Sequence, residues 1–159
     1  MKTPLSPLQL QFHPMAQAPT AKTLMAWRKD AGWSAPVQPH TLEHPTLAVR
    51  WVGVWDKRKQ VAIARLELAP PEFCYVGDLI IAGDFRRRGI GSWFLEAIEK
   101  YVGGHGIKRL LLEAEAGSEA FYKAHHFVCD PYVPRFLKKD LSPLQRKMFV
   151  PHPAKQAFR

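Results

Sequence analysis

Hydrophobic and polar residues alternate along two neighbouring segments near the middle of the chain, and this pattern predicts a β-hairpin. In Leu47–Trp55 the apolar side chains fall on two faces with the period of two that a strand requires. A second alternating segment, Gln60–Leu68, follows the polar turn at 56–59. A third strand is predicted at Phe73–Ile81, whose last residues are apolar on both faces, as is typical of a strand in the middle of a sheet.

The hydrophobic period changes after the third strand, and the new spacing predicts helices. In Gly89–Val102 the apolar side chains form one stripe, and Glu99 is predicted to face solvent. A shorter helix is predicted at 117–125, and another at Thr20–Ala31 with Thr20 as its cap. Short strands complete the pattern at Leu8–His13, Ile107–Glu113 and Val133–Leu137.

This order of elements predicts an α/β (α+β) fold. Hairpin strands come first and a strand–helix–strand crossover follows, so we expect a mixed, mostly antiparallel central sheet of about six to seven strands, flanked by about four helices. The length of 159 residues fits one hydrophobic core. We therefore expect a single domain at 1–150 and a C-terminal tail at 151–159.

The composition is that of a globular protein that needs no disulfide bonds, with 47% hydrophobic residues. Cys74 and Cys129 are too few for a disulfide framework and belong to no Cys-x-x-Cys pair, so we expect two small buried thiols and no metal site. The chain has no apolar run long enough to span a bilayer, and its N-terminus lacks the apolar core of a signal peptide. These features predict a soluble, cytoplasmic protein with no membrane partner.

The formal net charge of +9 favours an anionic partner, such as nucleic acid, an acidic protein or a phosphorylated cofactor. One basic cluster, Arg86-Arg87-Arg88, directly precedes Gly89-Ile90-Gly91 at the predicted start of a helix. A helix N-terminus has unpaired N–H groups and a partial positive charge, and both favour a phosphate. Gly89 and Gly91 allow a ligand to approach the backbone, so this segment is the candidate phosphate site.

A purely structural role, or a different nucleotide-binding motif, fits this segment less well. A bare Gly-x-Gly often only shapes a tight turn, but here a buried strand, arginines and an amphipathic helix adjoin it. The segment lacks the Gly-Lys-Ser/Thr of a Walker A loop and the third glycine of a dinucleotide fingerprint. The alternative from a different class is a basic nucleic-acid-binding module. No predicted helix carries basic residues along one face and no RNA-binding sheet motif is present, which argues against nucleic acid.

Arg86–Gly91 resembles the Arg/Gln-x-x-Gly-x-Gly/Ala signature of the GNAT superfamily of acetyl-CoA-dependent N-acetyltransferases, and Asp78–Phe85 is similar to the strand and turn before it. The resemblance implies that acetyl-CoA is the co-substrate, that no metal takes part, and that an amine attacks the thioester directly. It also implies that the pantetheine arm fits between two splayed strands. The cofactor-binding residues that it implies are Leu79, Ile80, Ile81, Arg86, Arg87, Arg88, Gly89, Ile90, Gly91 and Ser92.

A second segment, Phe121–Phe127, is similar to the Phe-Tyr-x-x-x-Gly-Phe helix and turn of that family, except that His126 replaces the glycine. Glycine caps the helix there in the left-handed region, and histidine is a poorer occupant, so the turn is expected to differ. Tyr122 is our candidate for the proton donor to the departing thiolate, since a phenol has a pKa near 10 and a thiol about 8.5. The competing interpretation is that Tyr122 only packs beside the cofactor.

The general base stays open at this point. Asp78, Glu113 and Glu115 are the carboxylates nearest the expected cleft, although each is interpreted first as a strand-end charge in solvent. His125 and His126 are adjacent on a helix and point apart, so at least one is expected at the surface. An ordered water chain is an alternative proton acceptor.

The sequence thus predicts transfer of an acetyl group from acetyl-CoA to a primary amine of an unnamed acceptor. Trp33 and the loop to Pro45 are expected to border the acceptor site, because that region lies over the cleft in similar proteins. The alternative is a non-catalytic regulator that binds acyl-CoA, supported by His126 and by the lack of an obvious base. Members of that family often form homodimers, and the sequence leaves the oligomeric state open.

Overall fold

A computed structural model describes residues 7–33, 48–115 and 117–141. Its strands are β1 (Leu10–Pro14), β2 (Ala48–Asp56), β3 (Lys59–Ala69), β4 (Phe73–Ile81), β5 (Arg109–Glu113), β6 (Val128–Cys129) and β7 (Phe136–Asp140). Its helices are α1 (Ala21–Asp30), α2 (Ile90–Gly104) and α3 (Glu119–Ala124), with a 3₁₀ turn at Gly83–Phe85.

The strands form one seven-stranded sheet in the order β1-β2-β3-β4-β5-β7-β6. All neighbouring strands are antiparallel except β4 and β5, which confirms the predicted mixed, mostly antiparallel α/β fold. Three α-helices lie in the described residues, compared with about four predicted. The predicted hairpin is confirmed as β2 and β3, paired from Ala48 with Leu68 to Asp56 with Lys59.

One face of the sheet packs against α2 and forms the larger core. Ile90, Phe94, Ile98 and Val102 recur every four residues along α2, and all are buried. Burial of each large apolar side chain contributes roughly 1.5 to 3 kcal/mol, so this stripe fixes α2 firmly on the sheet. The start of α2 is thereby fixed next to the end of β4.

The other face of the sheet is covered by α1 over a smaller core. Leu24 is the buried residue of α1 and packs with Trp51, Ile63 and Ile80. The Thr20 hydroxyl accepts a hydrogen bond from the Thr23 N–H at 3.1 Å, which confirms the predicted cap. The half-buried Trp27 packs against the same core, so apolar burial and polar contacts together place α1.

β4 and β5 pair over a short stretch and then diverge. Their register joins Cys74 with Leu110 and Tyr75 with Leu111, and it ends there although β4 continues to Ile81. α2 provides the crossover that a parallel pair requires. The divergence opens the sheet at the carboxyl ends of two parallel strands, where ligands commonly bind in α/β proteins.

Two side chains lie elsewhere than predicted. The prediction that Glu99 faces solvent is wrong, because the residue is buried and forms an ion pair with Lys139 of β7. The helical stripe could not reveal a partner contributed by a distant strand. Cys129 is exposed on β6 rather than buried, whereas Cys74 is buried as predicted.

The last strands also differ from the prediction. β6 has two residues and carries no recognisable period, so the sequence pattern does not reveal it. β7 begins at Phe136 rather than at Val133, because the preceding residues form a turn. In that turn the Asp130 carboxylate accepts hydrogen bonds from the N–H groups of Tyr132 and Val133, at 2.8 and 2.9 Å.

Several predictions fall outside the described residues: the first residue of the predicted hairpin, Leu47, the loop that runs to Pro45, and everything after Leu141, including the tail at 151–159. Among the helices that the structure does describe, none has the length and apolar character needed to cross a membrane.

Candidate functional site

An open cleft of about 1120 Å³ lies where β4 and β5 diverge. We call its two parts the glycine end, formed by Leu79–Ile81 and Gly89–Ser92, and the ion-pair end, formed by Arg28, Arg65 and Asp78. The predicted site residues that line the cleft are Leu79, Ile80, Ile81, Arg86, Arg87, Gly89, Ile90, Gly91, Ser92 and Tyr122.

Arg88 is the one predicted site residue that does not line the cleft. Its guanidinium lies over the ring of Phe85, 5.3 Å from the ring centroid. Lys59 approaches the same ring at 5.2 Å, so Phe85 separates two cations beside the glycine end.

The start of α2 at the glycine end is an open backbone cradle. Gly89 is the N-cap residue, has a φ of 81°, and has nothing within 4 Å of the position that a Cβ would occupy. No side chain caps the helix, so the N–H groups of its first turn have no intrahelical partner. The left-handed backbone requires glycine here, and the free N–H groups are suited to an anion.

α3 docks on this first turn of α2. A Cβ at Gly91 would stand 3.4 Å from the ring of Phe121, an ordinary contact, so the motif tolerates alanine at this position but not a larger side chain. The Ser92 hydroxyl and Nε2 of His125 are 2.9 Å apart. These two contacts join the first motif to the second and fix the distance between Tyr122 and the start of α2.

Arg86 is engaged in holding its own loop. Its Nε donates to the Ile81 carbonyl at 3.1 Å, and its Nη2 donates to the carbonyl and the carboxylate of Asp30, both at 3.0 Å. The Asp30 carboxylate also accepts from the Gly83 N–H at 2.8 Å. Arg86 therefore ties the loop to α1, while Arg87 lines the cleft with a φ of 60°.

A β-bulge sits in β4 just before the glycine end. Ile63 pairs with Ile80 and Arg65 with Gly77, so β4 contains one more residue than β3 across this step. Asp78 lies in the extra stretch with a φ of 48°, which is rare for a residue with a side chain. Gly77 is required as well, because a Cβ there would come within 2.2 Å of Nη2 of Arg65.

The ion-pair end joins three elements through one carboxylate. Nε of Arg28 in α1 donates to Oδ1 of Asp78 at 2.6 Å, and Nη1 of Arg65 in β3 donates to Oδ2 at 2.8 Å. Asp78 is only 8% exposed, so its interpretation as a strand-end charge in solvent is wrong. Because both of its oxygens are engaged, Asp78 is unsuited to act as a general base.

Tyr122 lies in the wall of the cleft and is 8% exposed. Burial, and then the charge of Glu115, raise the pKa of Tyr122 to about 12, so its hydroxyl stays protonated. Cys74 illustrates this effect, since burial, followed by Glu67, raises the pKa of that thiol to about 12.

His126 occupies the left-handed cap position with a φ of 71°, so the expected departure of this turn is not seen. The Phe127 N–H donates to the Tyr122 carbonyl at 3.1 Å, which closes the helix. His126 is exposed, as expected for at least one of the two histidines, and His125 is half-buried. Among the described residues, no group of three or more His, Cys, Asp and Glu side chains is placed to hold a metal.

Glu113, the last residue of β5, and Glu115 line the cleft and are exposed, as predicted. Tyr75 of β4 lines the same cleft. Burial raises the pKa of Tyr75, Glu113 raises it further, and Arg65 lowers it, so this hydroxyl lies in the field of both charges. Trp33 also lines the cleft.

Sequence reasoning missed Arg28, Arg65 and Tyr75. They come from α1, β3 and β4, and no motif or spacing connects them. The one available signal was that Arg65 interrupts an otherwise apolar buried strand, since an arginine at such a position needs an acidic partner.

The family model described as the Acetyltransferase (GNAT) family matches residues 13–127. No curated protein sequence matches the chain. A putative acetyltransferase of the GNAT family from Desulfovibrio desulfuricans has a similar structure, with a TM-score of 0.68 and 14% identity over 84% of this chain and 100% of that one.

Two further structures have this fold. The ribosomal-protein-S18-alanine N-acetyltransferase from Escherichia coli gives a TM-score of 0.60 and 15% identity, over 84% of this chain and 95% of that one. N-acetylglutamate synthase from Neisseria gonorrhoeae, solved with coenzyme A and L-arginine, gives a TM-score of 0.63 and 14% identity, over 83% of this chain and 33% of that one.

Proposed function

The chain belongs to the GNAT acetyltransferase family and is an acetyl-CoA-dependent acyltransferase, and from this premise we propose that it acetylates a primary amine by direct attack. The observation that carries the proposal is one cleft that is lined by the open cradle at Gly89, by the end of β4 and by Tyr122. Such a cleft suits a long ligand with phosphates at one end and a reactive group at the other.

The residues of the glycine end fit this co-substrate. The first-turn N–H groups of α2 and the nearby Arg87 would hold the pyrophosphate. Leu79, Ile80 and Ile81 belong to a strand whose edge toward β5 is unpaired, and its backbone groups would bind the pantetheine amides. N-acetylglutamate synthase from N. gonorrhoeae was solved with coenzyme A, which supports the same ligand class for this fold.

Acetyl-CoA, when bound, supplies an acetyl group activated as a thioester. The acceptor enters as an ammonium, and the exposed carboxylates of Glu113 and Glu115 are placed in the wall to attract it and to accept its proton, directly or through water. Tyr122 lines the same cleft and its hydroxyl stays protonated. As the amine nitrogen forms the C–N bond and the C–S bond breaks, this hydroxyl would donate its proton to the sulfur and recover one from the attacking nitrogen. Asp78 takes no part in this proton transfer because two arginines engage it.

The first test is isothermal titration of acetyl-CoA into the wild type, Gly89→Glu and Gly106→Glu. Both glycines have a positive φ and open space at the Cβ position, so the two variants carry a similar backbone strain. Gly89→Glu places a negative charge in the cradle, whereas Gly106 lies in the turn between α2 and β5, outside the cleft. We expect saturable binding to the wild type and to Gly106→Glu, and none to Gly89→Glu.

Absence of binding to the folded wild type would contradict the proposal. Once binding is established, a panel of primary amines, amino acids and peptide N-termini is assayed for release of free thiol. Turnover with at least one amine is the expected result. Binding without turnover over the whole panel would instead favour a non-catalytic acyl-CoA-binding regulator.

A further inference from the structure

We propose that Arg28 and Asp30, both in the last turn of α1, are positioning residues that hold the cofactor edge of β4, Leu79–Ile81, at its two ends. The inference rests on the co-substrate site proposed above. Neither residue belongs to the glycine motif, and both act through other groups.

The cofactor edge lacks support on one side. β5 leaves β4 after Tyr75, so within the described part of the chain no strand pairs with Leu79–Ile81 from that direction. The edge also begins directly after Asp78, whose φ of 48° lies in the left-handed region that residues with a Cβ rarely adopt, although Asp does so more readily than most. A strand with a free edge and a strained start needs contacts from outside the sheet to keep one conformation.

The first anchor lies at the start of this edge. Arg28 and Arg65 approach the Asp78 carboxylate from two elements, and their side chains are 12% and 9% exposed. Buried, charge-assisted hydrogen bonds of 2.6 and 2.8 Å constrain the position of a carboxylate strongly. They hold the Asp78 side chain on the α1 face and thereby oppose relaxation of the bulge.

The second anchor lies just after the end of this edge. The Asp30 carboxylate accepts from the Gly83 N–H at 2.8 Å and from Nη2 of Arg86 at 3.0 Å. Arg86 in turn donates to the carbonyl of Ile81, the last residue of the edge. Asp30 thus reaches both the backbone after the edge and, through Arg86, its final carbonyl.

Apolar packing also holds α1 on the sheet, through the buried Leu24 and the half-buried Trp27, in the core that includes Ile80. The charged contacts at Arg28 and Asp30 add fixed points at the two ends of the edge, where this core does not reach.

The experiment compares the Kd for coenzyme A in the full-length wild type, Arg28→Met and Lys139→Met. The pair Lys139–Glu99 is also buried, but it joins α2 to β7 away from the cleft, so its variant is a matched control for the loss of a buried ion pair. Kd is measured by calorimetry at a temperature where each variant is folded, and the midpoint of urea unfolding is recorded separately. We expect both variants to unfold at lower urea, and only Arg28→Met to bind coenzyme A about tenfold more weakly.

Asp30→Ala, with Asp140→Ala as its control, tests the second anchor and keeps the proposal testable if Arg28→Met fails to fold. Asp30 and Asp140 each form an exposed ion pair with an arginine, but Asp140 contacts Arg109 outside the cleft. We expect Asp30→Ala to raise Kd about threefold and Asp140→Ala to leave it unchanged. Arg28→Lys, which keeps the charge, should restore part of the affinity.

A Kd for Arg28→Met and Asp30→Ala equal to that of the wild type would overturn this inference and leave the proposed function intact. A wild type that fails to bind coenzyme A would overturn both. The expected kinetic signature is a raised KM for acetyl-CoA with a smaller change in kcat, because neither residue touches the reacting atoms.

Discussion

The two ends of the cleft are built in different ways. The glycine end consists of backbone groups from two short segments, Leu79–Ile81 and Gly89–Ser92, that are close in sequence. The ion-pair end consists of side chains from α1, β3 and β4, and Asp78 is their common partner. A site built from backbone groups depends on the local conformation of the chain. A site built from side chains depends on how distant elements of the fold pack together.

The largest expected effect comes from removing the common partner at the ion-pair end. Asp78→Ala leaves the guanidinium groups of Arg28 and Arg65 buried without a shared carboxylate. We expect the free energy of unfolding to fall by about 3 to 5 kcal/mol, measured by urea denaturation. Asp140→Ala, which breaks an exposed pair, should cost less than about 1 kcal/mol. An equal fall in the free energy of unfolding in the two variants would show that the ion-pair end does not depend on the buried contacts of Asp78.

The next effect concerns Tyr122 of α3, which lines the cleft. Tyr122→Phe should lower kcat about a hundredfold if the hydroxyl supplies the proton, while the Kd for acetyl-CoA changes less than about twofold. Tyr101→Phe, on α2 and outside the cleft, is the control and should behave like the wild type. An unchanged kcat in Tyr122→Phe would show that this residue only packs beside the co-substrate.

The smallest effect is the pH dependence of stability that results from the burial of Tyr122. The pKa of Tyr122 is raised in the folded protein to about 12 from 10.0. The contribution of Tyr122 to the free energy of unfolding is therefore complete below pH 10 and is lost as the pH rises toward 12. At pH 11 the wild type should have lost about 1 kcal/mol more than Tyr122→Phe, relative to pH 8. Parallel stability curves for the two proteins over this range would show that Tyr122 is not desolvated.

The glycine end could be predicted from sequence because its signal is local. Gly89 and Gly91 stand at the start of a helix whose apolar stripe is unambiguous, and the preceding strand is apolar on both faces. The structure adds the reason why the two glycines differ. Gly89 needs its positive φ, whereas a Cβ at Gly91 would make an ordinary contact with the ring of Phe121 at 3.4 Å.

The ion-pair end could not be predicted in the same way. Asp78 looks like a strand-end charge in the sequence, because nothing nearby shows that a bulge turns it toward Arg28. Glu99 was misplaced for the same reason, since its partner Lys139 comes from β7. Periodicity reports which face of an element is apolar, but it does not report which charges from other elements meet there.

Trp33 gives the cleft an optical reporter. All five tryptophans of the chain lie in the described residues, and Trp33 is the one that lines the cleft. Indole emission responds to changes in polarity within a few ångströms, so a ligand that displaces water beside Trp33 alters the intrinsic fluorescence without any label. Occupancy of the cleft can therefore be followed by tryptophan fluorescence before the acceptor has been identified.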